Sequence, residues 1–73
     1  MEDPLDQAKK FIISGLPSSG KRVAAIRKKF TRLMFVSHDG GAGGVKDSER
    51  YIAYRTVVRM CVEHARNNIK RNS

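Results

Sequence analysis

Three stretches of this chain repeat apolar residues at spacings of three and four, and each reads as one amphipathic helix. In the first, Leu5, Ala8, Phe11 and Ile12 share a side. Asp3 suits the N-cap, Pro4 the first helical position and Asp6 the positive first turn. Gly15 and Pro17 end the run, with Gly15 suited to a left-handed C′ position. The pattern predicts a helix over residues 4–14.

In the second stretch Val23, Ile26, Phe30, Leu33 and Met34 fall in one sector when wound at about 100° per residue. Ser18 or Ser19 provides a cap, which predicts a helix over residues 19–36. Residues 33–36 are all apolar and lack a period, so helix and short strand both remain open for them. Residues 37–46 include Gly40, Gly41, Gly43 and Gly44, and glycine has the largest backbone entropy to lose, so a flexible loop is expected there. Asp47 or Ser48 then caps a third helix over residues 48–70. Its stripe runs through Tyr51, Tyr54, Val58, Cys61, Ala65 and Ile69, with Ile52 and Val57 off it. The expected fold is a single all-α domain of three helices spanning residues 1–73, with a long C-terminal helix.

Chain length then changes the picture. Seventy-three residues bury a smaller share of their surface than a larger domain does, and such chains commonly need a disulfide, a metal or a second copy. The third helix, about 34 Å long at 1.5 Å per residue, outruns the other two. A homodimer is therefore expected to cover the remaining apolar surface. Cys61 is the only cysteine, so no intrachain disulfide forms, which fits a reducing compartment. The acidic start Met1-Glu2-Asp3 and the short apolar runs predict neither a secretory signal nor membrane insertion. A soluble protein of the cytoplasm or nucleus is expected.

Charge supplies the functional signal. The chain has 15 Lys and Arg against 7 Asp and Glu, a net charge of +8. Six of the cations lie between Lys21 and Val36, where no carboxylate occurs. Lys21, Lys28 and Arg32 wind opposite the apolar stripe, with Arg22, Arg27 and Lys29 on its flanks. On the third helix Arg55, Arg59, Arg66 and Lys70 line up, and Glu63 is the only acidic side chain from Arg50 onward. A surface helix of an ordinary soluble protein interleaves both signs, so these one-signed rows point to a polyanion. Arg and Lys in rows suit the regularly spaced charges of a phosphate backbone. The predicted phosphate contacts are Lys21, Arg22, Lys28, Lys29, Arg32, Arg55, Arg59, Arg66 and Lys70. Tyr51 and Tyr54 fall in the core stripe, and without Trp the chain lacks an aromatic platform for single-stranded bases.

Other motifs weigh less. Gly15-Leu16-Pro17-Ser18-Ser19-Gly20-Lys21 resembles the Walker A pattern of P-loop nucleotide hydrolases after a strand-like residue 11–14 segment. The resemblance covers about a dozen residues and breaks at Arg22, where the family needs Ser or Thr for magnesium. Cys61 and His64, with His38 or Asp39, form one weak pair where tetrahedral zinc wants four well-spaced ligands. No metal, cofactor or catalysis is expected. The reading is a non-catalytic nucleic-acid-binding module with duplex RNA favoured over DNA, because A-form helices are recognised by shape and backbone. In outline the plan is similar to small viral dsRNA-binding suppressor proteins, an architectural likeness without a shared motif. Two alternatives stand beside it. One is DNA binding by the first two helices as a helix-turn-helix; the other is an adaptor docking on an anionic membrane or an acidic protein, without insertion, since the polar faces lack the Trp and Phe expected at a lipid boundary.

Overall fold

The structure, a computed structural model, describes residues 2–39 and 49–72, with side chains left aside at positions 38, 39 and 69–72. Among the described residues there are three helices and no strand: α1 Pro4–Ser14, α2 Gly20–Asp39 and α3 Glu49–Asn72. The all-α, three-helix fold follows the periodicity, and the ends follow local chemistry. Asp3 caps α1 as expected, its Oδ1 accepting the Leu5 amide at 3.0 Å while its carbonyl accepts from Asp6 and Gln7. Ser19, not Ser18, caps α2: its Oγ accepts the Arg22 amide at 3.4 Å and its carbonyl takes the Val23 amide at 3.0 Å.

Gly15 closes α1, donating its amide to the Phe11 carbonyl at 2.8 Å. Its φ of 87° is positive, as a glycine stop predicts, but its ψ of 173° is extended and not left-handed helical. The chain therefore leaves α1 abruptly and turns back through residues 15–19. Residues 11–14, strand-like in composition, are the last turn of α1.

At the far end of α2 the open choice at residues 33–36 resolves as helix, and the helix continues through Ser37 to Asp39. The predicted loop thus begins later than residue 37. Ser37 extends the half-buried side of α2. The rest of that loop, and the caps proposed at Asp47 and Ser48, lie outside the described residues.

The core is built where α1 and α2 meet α3. Ala8, Val23, Phe30, Ala53, Tyr54, Val57 and Cys61 are buried, with Leu5, Phe11, Leu16, Ile26, Leu33, Met34 and Val58 packed around them. Phe30 is the hub: Phe11 meets it edge-on at 6.1 Å between ring centroids, and Tyr54 lies tilted at 5.6 Å. Val57, expected off the stripe, is fully buried, whereas Ala65 on the predicted stripe is exposed. The inward face of α3 is rotated from the predicted stripe because this helix is packed by two others, α2 along its length and α1 near its start.

α1 is fastened to the start of α3 by charge. Arg50 grips both carboxylate oxygens of Asp3, at 2.9 and 3.0 Å, and also donates to the Tyr54 hydroxyl at 3.3 Å. Lys9 pairs with Glu49 at 2.7 Å. Hydrogen bonds from Arg50 and the Leu5 amide hold the Asp3 carboxyl at about 2, below its ordinary 3.8. Lys9 likewise pulls Glu49 down, and Glu49 pushes Lys9 up.

Candidate nucleic-acid interface

Helix α2 and helix α3 run antiparallel. Phe30 meets Tyr54, Arg27 lies near Cys61, and Gly20 lines a cleft with Asn68, so the start of α2 sits beside the end of α3. Because the buried side of each helix faces the other, residues wound opposite those sides point outward along the two edges of the pair.

The predicted cations divide by this geometry into four groups. Lys21, Lys28 and Arg32 are all exposed and lie on the outer face of α2, opposite buried Val23 and Phe30. Arg55, Arg59 and Arg66 are exposed on the outer face of α3, opposite Ala53, Val57 and Cys61. Arg22 and Lys29 belong to neither row. They line a cleft of about 240 Å³ against α1 with Gln7 and Phe11, and Lys29 donates to the Gln7 amide oxygen at 2.7 Å while sitting 5.7 Å from the Phe30 ring centroid. The backbone of Lys70 continues α3, but its side chain lies outside the described residues.

Within each row the spacing is regular. Lys21, Lys28 and Arg32 are seven and four residues apart; Arg66, Arg59 and Arg55, taken in the same spatial direction, repeat those intervals. The antiparallel register sets Lys21 near the level of Arg66, Lys28 near Arg59 and Arg32 near Arg55, to within about half a turn. The two rows are thus three matched rungs facing opposite ways. With helix axes about 8–10 Å apart and helices about 10–12 Å wide, the outer surfaces lie about 20 Å from each other.

None of these six cations forms an ion pair among the described residues, although Glu63 lies one turn from Arg59 and Arg66 on α3. Three carboxylates are engaged elsewhere: Glu2 with Lys10, Asp3 with Arg50 and Glu49 with Lys9. The described ion pairs are thus concentrated around α1.

An aromatic side chain escaped the sequence reading of these faces. Phe35, in the apolar run without a period, is 58% exposed and sits on the outer side of α2 one turn beyond Arg32, with exposed Val36 beside it. The continuation of helix through residues 33–36 is what carries it there.

On the flank of the pair away from α1 lies an open cleft of about 760 Å³, with Val23, Ala24, Cys61 and Ala65 in its apolar part and Arg27, Lys28 and His64 among its polar lining. Cys61 is buried and desolvation raises its thiol pKa, the setting of a structural thiol and not of a nucleophile. His64 meets Asn68 at 3.5 Å, and no three His, Cys, Asp or Glu side chains cluster among the described residues. The Walker A-like segment joins two helices, whereas a P-loop joins a strand to a helix. No described helix is long and apolar enough to cross a membrane.

The fold defines the class, a small basic three-helix domain. Comparison takes it no further: no protein-family model, no curated protein and no solved structure matches the chain.

Proposed function

We propose that this protein is a non-catalytic nucleic-acid-binding module that grips phosphate backbones through the outer faces of α2 and α3, with duplex RNA its preferred ligand. The observation that carries the reading is the pair of exposed cation rows, each stepped by seven and then four residues, whose members form no ion pair among the described residues. Lys21, Lys28 and Arg32 form one contact row and Arg55, Arg59 and Arg66 the other. Rows on a rigid helix fit a backbone of repeated charge, and the burial of Tyr54 removes one of the two tyrosines from any base-stacking role. Self-association belongs to the same proposal: a second copy is placed on the open flank bearing Ala24 and Ala65, whose lining includes Lys28. Work in the cytoplasm or nucleus is part of it too.

The test is a competition gel shift among duplex RNA, duplex DNA and single strands, with the mass of protein and complex measured in parallel. Duplex RNA is expected to compete best. Each phosphate contact contributes about 0.9 to the slope of log affinity against log salt on duplex DNA. With the α2 row removed by Lys21→Ala/Lys28→Ala/Arg32→Ala, a further Arg59→Ala is expected to lower the slope by about that amount and weaken all sequences alike. Unchanged affinity and slope on adding Arg59→Ala to that variant refutes the assignment.

Phe35 favours a second reading, docking on anionic membrane. An exposed aromatic ring beside Lys28 and Arg32 is the composition of an interfacial helix, and each basic residue near such a surface contributes about 1 kcal/mol. Co-sedimentation with anionic vesicles that is lost in Phe35→Ser, together with no duplex binding at the same salt, selects this reading over the first.

A further inference from the structure

We infer that one copy of this chain binds two nucleic-acid duplexes at once and so bridges them. The inference rests on the nucleic-acid reading above and adds its geometry. The α2 row and the α3 row each hold three cations, at matched levels, on faces that point away from each other. A duplex is a stiff rod, so one segment lying along Lys21, Lys28 and Arg32 cannot also meet Arg55, Arg59 and Arg66 about 20 Å away behind the helix pair. Those three remain free for a second segment. Neither row is sacrificed to internal pairing, since the described ion pairs all lie at the α1 end. Equal numbers of cations give the two faces similar strength, each losing affinity about 40-fold between 50 and 200 mM salt if all three residues contact phosphate on duplex DNA.

Bridging is read by energy transfer between short RNA duplexes carrying donor or acceptor dyes, with anisotropy of one labelled duplex reporting simple binding. Wild-type protein is expected to raise both signals at limiting protein. Energy transfer then falls again when protein exceeds duplex, because each duplex acquires its own copy. Two variants isolate the faces, Lys21→Ala/Lys28→Ala/Arg32→Ala and Arg55→Ala/Arg59→Ala/Arg66→Ala. All six positions are exposed, so circular dichroism is expected to stay at wild type. At concentrations where the measured mass is that of a single copy, each variant is expected to keep anisotropy binding and lose energy transfer. If either variant still brings two duplexes together, bridging comes from association of copies and the inference is overturned. If one variant loses all binding, only that face holds duplex, and the inference is again overturned. A wild-type protein that raises neither signal refutes the nucleic-acid reading itself, whereas binding without energy transfer refutes bridging alone.

Discussion

Replacing Phe30 with alanine removes the ring that joins all three helices. Phe30 is 1% exposed and sits between Phe11 on α1 and Tyr54 on α3, so no water enters to soften the loss. Truncating a buried Phe costs about 3–5 kcal/mol, part of it the two aromatic contacts worth about 0.5–1.5 kcal/mol each. A 73-residue domain has about 4–11 kcal/mol of stability in total, so the variant is expected to lose a large share of it and, toward the low end of that range, to be unfolded. Phe30→Leu keeps most of the volume but loses both aromatic contacts, and is expected to lose about 1–3 kcal/mol. Urea unfolding followed by far-ultraviolet circular dichroism measures both. The midpoints are expected in the order wild type, leucine, alanine, with the wild-type slope retained by leucine. An alanine variant with the wild-type midpoint refutes Phe30 as the hub of the core.

Two further perturbations probe how α1 is held. Gly15→Ala meets no atom within 4 Å of the added Cβ, but a φ of 87° strains any side-chain-bearing residue, so a loss of about 1–3 kcal/mol is expected in the same denaturation assay. Acid acts on the Asp3–Arg50 and Lys9–Glu49 pairs: Asp3 is depressed in the folded state, so its contribution is complete above its ordinary 3.8 and fades as pH falls through about 2. Titration from pH 5 to 2 is expected to destabilise wild type more than Arg50→Gln; equal pH dependence in the two refutes a linking role for the pair.

Much of the architecture was legible because local chemistry decides it. Asp3, Pro4 and Gly15 bracket α1, and the seven-residue step from Val23 to Phe30 fixes the inward side of α2. What the chain order hid were relations between helices. Arg50 finds Asp3 across 47 positions of sequence, beyond the reach of any periodic pattern. Val57 is fully buried because α1 adds a second wall to α3, which widens the inward arc past the stripe drawn from Tyr51. The candidate interface divided the same way. The faces of Lys28 and Arg59 followed from winding each helix alone, but that those faces oppose each other depends on antiparallel packing. Lys29, on the flank of its helix, meets Gln7 of α1 for the same reason.

The matched rungs on α2 and α3 impose direction as well as number. Rods held against opposite edges of a rigid scaffold, each at three stations of equal height, are forced to lie alongside one another instead of crossing at arbitrary angles. An assembly grown from many such scaffolds would take the form of an aligned raft with a repeat fixed by helix width, in contrast to the isotropic tangle that a flexible polycation produces.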